Sequence, residues 1–141
     1  MGKDYVVEVS IMLNASPSKV WNVLTDPELI KKYLFGTDTV TDWKVGSDIK
    51  WMGVWKGKKY EDKGKILKVE HGKLLEYTYW SSMSGLPDTP ENYKKVTYRI
   101  TRGLKATKLT IIQTNNTKEG KAHSEQNWKA VSEGIKKIIE A

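Results

Sequence analysis

The sequence predicts an α+β fold: a curved antiparallel sheet wrapped around a long C-terminal helix, with two short helices after strand 1. Three observations carry this prediction. Apolar residues recur at period two through most of the chain, as in half-buried strands. Ser16-Pro17 and Pro27 punctuate two short helical segments directly after the first such run. Only the last part of the chain sustains an apolar stripe at helical spacing over several turns. A sheet with one apolar face must cover it, and that last helix is the only long amphipathic element available.

In order, Tyr5, Val7, Val9, Ile11 and Leu13 alternate with Val6, Glu8, Ser10 and Met12 as the first strand. Ser16 can accept a first-turn N–H as an N-cap, and Pro17 suits the first helical position because its missing N–H costs nothing there. Val20, Val23 and Leu24 follow at helical spacing, and Pro27 opens a second short helix through Lys32. After a Phe35-Gly36-Thr37-Asp38 turn, strands are expected around Val40–Trp43, Ile49–Trp55, Lys65–Val69, Leu74–Trp80, Lys94–Arg102 and Thr107–Thr114. Turn residues at Gly57-Lys58, His71-Gly72-Lys73 and Gly103-Leu104-Lys105 make these consecutive hairpins. Ile66 and Leu67 cannot both face inward without a bulge. Ser81–Asn92 is the longest irregular connection in the sheet. The last helix is expected to begin near Ser124, with Trp128, Val131, Ile135, Ile138 and Ile139 on its stripe.

The length of 141 residues suits one domain, 1–141, with a single core. Absence of cysteine excludes disulfide staples and thiol chemistry. The N-terminus enters the strand alternation at once, leaving no room for a signal peptide, and no apolar run reaches the ~20 residues of a membrane span. The expectation is a cytoplasmic protein with no membrane partner. The formal charge of +7 raises nucleic acid as a partner, yet only Arg99 and Arg102 among 24 basic residues are arginines. The lysine cluster at Lys56, Lys58, Lys59, Lys63, Lys65 and Lys68 is interrupted by Glu61 and Asp62 and reads as a solvated outer sheet face. A nucleic-acid footprint is concentrated and favours the arginine fork, so no specific nucleic acid is expected.

Val20-Trp21 followed by Leu24-Thr25-Asp26-Pro27 and Glu28-Leu29-Ile30 resembles the opening signature of the START-like (SRPBCC) superfamily. More closely it is similar to that superfamily's branch of activator of heat-shock protein 90 ATPase homologue-like (AHSA-type) proteins. Lys58-Lys59-Tyr60 with Gly64-Lys65-Ile66-Leu67, Leu74–Trp80, Val96-Thr97-Tyr98 with Thr107–Thr110, and Trp128 match it in the right order. Tyr33 stands where the family usually has Trp. The co-chaperone that names the branch carries an additional N-terminal domain, which 141 residues do not accommodate, so ATPase activation is not carried over. The resemblance implies the helix-grip (START/birch-pollen-allergen-like) fold. It also implies an apolar cavity between sheet and long helix for hydrophobic ligands such as a lipid, polyketide or flavonoid-like molecule. A chaperone partner, and a role in stress response, follow from the branch; cyclase or aromatase chemistry follows from a minority of the superfamily.

The residues themselves fit a small-molecule pocket. Six Trp and seven Tyr stand against one Phe, and each Trp or Tyr brings a polar handle with its apolar area. Alternation puts Trp51 and Trp55 on one face, with Tyr77 and Tyr79, Tyr98 and Ile100, and Leu109 and Ile111 on the same side of later strands. Trp128, Val131 and Ile135 of the last helix would close over them. Tyr33, Leu34, Phe35, Met83 and Leu86 are expected at the entrance. A packed core with satisfied hydroxyls is the other reading of this face. Catalysis has little support: His71 and His123 read as exposed turn residues, and Glu61-Asp62 as an exposed hairpin pair. No metal or nucleophile set has recognisable spacing, so no catalytic residue, metal or cofactor is expected. The expected function is non-catalytic binding of a hydrophobic or aromatic small molecule. A chaperone-associated interaction module and a cyclase/aromatase-like enzyme are the alternatives. An inward Asp, Glu or His would favour the enzyme, and a large exposed apolar patch the module.

Overall fold

The computed structural model describes residues 5–140. Strand β1 (Tyr5–Leu13) leads into helices α1 (Pro17–Thr25) and α2 (Pro27–Tyr33). Strands β2 (Asp38–Val40), β3 (Asp48–Trp55), β4 (Lys58–Glu70), β5 (Leu74–Tyr79), β6 (Lys94–Arg102) and β7 (Thr107–Asn115) follow, and α3 (Lys118–Ile139) closes the chain. The seven strands form an antiparallel sheet in the order β1-β7-β6-β5-β4-β3-β2, so every pair except β1 with β7 joins sequence neighbours. This is the helix-grip architecture that the sequence predicts.

Local chemistry explains the boundaries. Ser16 Oγ accepts the Lys19 N–H at 3.2 Å and Asp26 Oδ1 accepts that of Glu28 at 3.0 Å, so each short helix is capped and has Pro at its start. The β3–β4 hairpin turns on Lys56 and Gly57, both at positive φ (49° and 80°), as a two-residue loop matched to strand twist requires. Strand β2 ends at Val40 rather than reaching Trp43, because Trp43 adopts φ 61° in a turn where Asp42 Oδ1 accepts the Lys44 N–H. Helix α3 starts two turns earlier than Ser124. Thr117 Oγ1 caps it by accepting the Gly120 N–H at 2.9 Å, and the polar run Lys118–Lys121 carries no apolar stripe to betray the first turn. Ser124 is instead a buried residue inside the helix.

The register of β4 against β5 shifts between Ile66 and Lys68. Leu67 is the extra residue of this bulge and is 38% exposed, whereas Ile66 is 1% exposed. At Gly64 the β5 backbone approaches so closely that a Cβ would collide with the Thr78 carbonyl oxygen.

Helix α3 lies closest to β1 and β7 and also packs on α1 and α2, while α2 packs on β2. Its buried stripe is Ser124, Trp128, Val131, Ser132, Ile135 and Ile139. Gly134 lets Tyr33 of α2 sit against the helix, since a Cβ there would lie 3.2 Å from Tyr33 Cβ. Among the described residues no helix is long and apolar enough to cross a membrane.

Candidate functional site: an aromatic row on the concave face

Alternation along β3, β5 and β6 aims Trp51, Tyr77, Tyr79 and Tyr98 into the concavity, and the α3 stripe brings Trp128 to meet them. The result is one continuous row of rings. Centroid distances are 5.3 Å for Tyr79–Trp51, 5.2 Å for Trp51–Tyr77, 5.6 Å for Tyr77–Tyr98 and 5.9 Å for Tyr98–Trp128, all in tilted or edge-on geometry. Edge-on pairs set the positive rim of one ring against the negative face of the next.

Polar handles run alongside the rings. The Tyr77 and Tyr98 hydroxyls share a hydrogen bond at 2.9 Å. Trp128 Nε1 donates to Gln113 Oε1 at 2.6 Å, Gln113 Nε2 donates to Asn115 Oδ1 at 3.0 Å, and Asn115 Nδ2 donates to the Tyr5 carbonyl at 3.1 Å. At the other end, the Tyr79 hydroxyl donates to Asp62 Oδ2 at 3.0 Å. Asp62 Oδ1 accepts both the N–H (2.9 Å) and the hydroxyl (3.2 Å) of Ser82, which ties the long Ser81–Asn92 connection to the sheet. Burial pushes the Tyr98 phenol up to about 12 and those of Tyr77 and Tyr33 well above their ordinary range. Burial, followed by the neighbouring Asp62 charge, also raises Tyr79. These phenols stay neutral at physiological pH and serve as hydrogen-bonding groups, not as phenolate bases. Among the described residues, two buried hydroxyl oxygens, Thr39 Oγ1 and Ser132 Oγ, have no hydrogen-bond partner.

Most residues expected to line a pocket are brought together here. Trp51, Tyr77, Tyr98 and Trp128 are 5–6% exposed, Tyr79 is half-buried, and Ile100, Leu109, Ile111, Val131 and Ile135 are buried in the same cluster. Trp55 departs from the expectation: it alternates onto the face of Trp51 but is 55% exposed, because the hairpin carries it past the edge of the core. Tyr33 is not at an entrance either; it is 3% exposed between α2 and α3. Phe35, Met83 and Leu86 are exposed and Leu34 is half-buried. His71 is exposed but leans on Trp21 at 5.2 Å between ring centroids, and exposed His123 lies within α3 rather than before it.

Asp62 is the inward polar residue that its sequence context places on the surface. Glu61 is exposed as expected, whereas Asp62 is 8% exposed and faces inward. Extending the β4 alternation back from Ile66 through Gly64 reaches Asp62 and Tyr60, but only if the strand begins at Lys58 and not at Lys65.

A cleft of about 580 Å³ opens at the end of the sheet where α1 begins, lined by Pro17, Glu70, Gly72, Lys73, Leu74, Arg99, Ile100, Thr101 and Arg102. A smaller one of about 280 Å³ adjoins it at Pro17 and Arg102. Of the expected lining residues only Ile100 borders the larger cleft, so this opening is separate from the ring row.

A helix-gripping sheet with an aromatic concave face defines a START-like domain. The family described as "Activator of Hsp90 ATPase homolog 1-like protein" matches residues 14–140, and the chain belongs to it. No curated protein matches the chain. Among solved structures, ChR145 from Cytophaga hutchinsonii is 45% identical, with a TM-score of 0.86 over 99% of this chain and 97% of that one. DynU16, from the dynemicin biosynthetic locus, shares the fold at 18% identity and TM-score 0.80, over 98% of this chain but 48% of its own. The Aha1 dimer from Colwellia psychrerythraea does so at 20% identity and TM-score 0.75, over 96% of each chain.

Proposed function

We propose that this protein binds a flat hydrophobic or aromatic small molecule, of the lipid, polyketide or flavonoid kind, along the ring row, without turning it over. The observation that carries the reading is the row itself: five amphipathic rings in contact, with buried Thr39 Oγ1 and Ser132 Oγ left unpartnered in the same interior. Buried polar atoms are rarely left unpaired, and a ligand's polar groups would satisfy them. The half-buried Tyr79 end, under the Ser81–Asn92 connection, is the route of access. DynU16's place in a biosynthetic locus agrees with small-molecule handling on this fold. Neutral phenols and the pairing of Asp62 with Tyr79 and Ser82 argue against proton transfer, despite an inward carboxylate.

Titration with a lipid, flavonoid and polyketide panel, followed by NMR shifts, tests this. Signals of Trp51, Tyr77, Tyr79, Tyr98 and the Trp128 indole are expected to move first, while exposed Glu8 and Arg99 stay still. Shifts confined to Lys73 and Arg102 of the end cleft would overturn it.

A second reading, as a chaperone-associated interaction module, has one specific support. Val54 and Trp55 are 64% and 55% exposed at the hairpin tip beside Lys56, Lys58 and Lys59. Loss of chaperone co-purification in Trp55→Ala, with ligand binding intact, would favour it.

A further inference from the structure

We infer that Asp62 selects the ligand, admitting molecules that present a hydrogen-bond donor, a phenolic hydroxyl or an amine, and rejecting carboxylates and phosphates. This rests on the ligand-binding reading above and adds the chemistry of the ligand's polar end.

Asp62 and Glu76 are the buried acids among the described residues, and they sit on opposite faces of the sheet. Glu76 is on the outer face, where it accepts the Thr97 hydroxyl at 2.9 Å. Asp62 is on the concave face, directly opposite Trp51 across the β3–β4 pair. Among the described residues no ion pair to it is seen, and its hydrogen-bond partners are the neutral donors of Tyr79 and Ser82. A carboxylate has about four lone-pair directions. Oδ1 uses two on Ser82 and Oδ2 uses one on Tyr79, so among the described residues one acceptor direction of Oδ2 has no donor. A ligand donor completes the set, whereas an anionic ligand meets a buried carboxylate that makes no ion pair among the described residues, a juxtaposition that is costly in a poorly solvated site.

The neighbouring strand supports the same preference. Thr39 pairs with Trp51 on the side away from Asp62, so Thr39, Trp51 and Asp62 form one cross-strand line. Thr39 Oγ1 is buried and unpartnered. A flat ring lying on Trp51 thus has an acceptor at one edge and a free hydroxyl at the other.

The test measures binding of naphthalene, 2-naphthol, 1-naphthylmethylamine and 2-naphthoate to the full chain by NMR titration at neutral pH. The naphthol and the amine are expected to bind about tenfold or more tightly than the naphthoate, the scale of one hydrogen bond to a charged group. In Asp62→Asn, which keeps an amide oxygen for Ser82, that preference is expected to collapse to within about twofold, on the same reasoning. Tyr79→Phe leaves the carboxylate in place and frees the rest of Oδ2, so naphthol binding should hold or tighten. If Asp62 only anchors the loop through Ser82 and the Tyr79 hydroxyl is what holds the ligand, naphthol binding weakens in Tyr79→Phe, and the inference fails. Equal binding of naphthol and naphthoate by the natural chain, or selectivity retained in Asp62→Asn, also overturns it while leaving the ring row as the site. If naphthalene and all three derivatives fail to shift the ring row, the ligand-binding reading falls and Asp62's role with it.

Discussion

The two halves of the concave face obey the same alternation but hold different chemistry. Under α3 and α1, strands β1, β7 and β6 present Val7, Val9, Val96, Leu109 and Ile111, and α3 answers with Val131 and Ile135; all are 8% exposed or less. Away from α3, strands β3, β4 and β5 present Trp51, Asp62, Tyr77 and Tyr79, rings and a carboxylate joined by hydrogen bonds. Where a helix supplies a matching surface, small aliphatic side chains interdigitate at crystal-like density. Where it does not, longer amphipathic rings span the gap, and their polar ends must find partners among themselves. The half away from α3 thus adds rings and a carboxylate to its buried aliphatics Ile49, Ile66 and Leu75, whereas the other half is mainly aliphatic.

The largest effect should come at the seam between the halves. Trp128→Ala removes a buried ring that touches Tyr98 and donates to Gln113, and should cost ~3–5 kcal/mol in denaturant unfolding. A loss below ~1 kcal/mol would mean that the helix does not depend on the ring row and would dissolve the division. Next, Gly64→Ala forces the β4 backbone away from the Thr78 carbonyl and should cost ~1–3 kcal/mol, the range for overpacking; an unchanged midpoint would show the strand pair yielding freely there. Tyr77→Phe removes one partner of the Tyr77–Tyr98 hydrogen bond and should cost about 1 kcal/mol, less than Trp128→Ala. Trp55→Ala, on the tip beyond the core, should change stability by less than about 0.5 kcal/mol; a larger loss would extend the core into the hairpin.

The phenols make a pH prediction. Burial raises Tyr98 from the ordinary value near 10 to about 12, so folding favours its neutral form. That contribution is complete below pH ~10, and it is lost as pH rises towards 12 and through it. Unfolding midpoints should fall over this window, and Tyr98→Phe should flatten the fall. An unaltered alkaline slope would place Tyr98 in contact with water.

Element order, the two capped short helices and the inward Trp, Tyr and aliphatic positions other than Trp55 were legible from spacing, because half-buried strands and amphipathic helices write their burial into period two and period 3.6. What escaped was local and polar. The start of α3 carries its signal in one threonine cap. Tyr33 looked like an approach to the pocket because nothing in its own segment says that Gly134, a hundred residues away, makes room for it. Asp62 looked like hairpin surface because a charged residue beside Glu61 and Lys63 carries no hydrophobic signal; only the pairing with Trp51 and the donors of Tyr79 and Ser82 reveal its orientation.

The bulge at Leu67 has a bearing on how this sheet could change length. Deleting Leu67 alone would leave Ile66 inward, Lys68 outward and Val69 inward, so the strand could lose one residue without turning a single buried side chain to water. What it would lose is the extra local coiling that a bulge confers. Strand β4 thus holds an adjustment of curvature that is separable from the identity of the core, and the bend of the sheet beside Tyr77 could be altered by one codon.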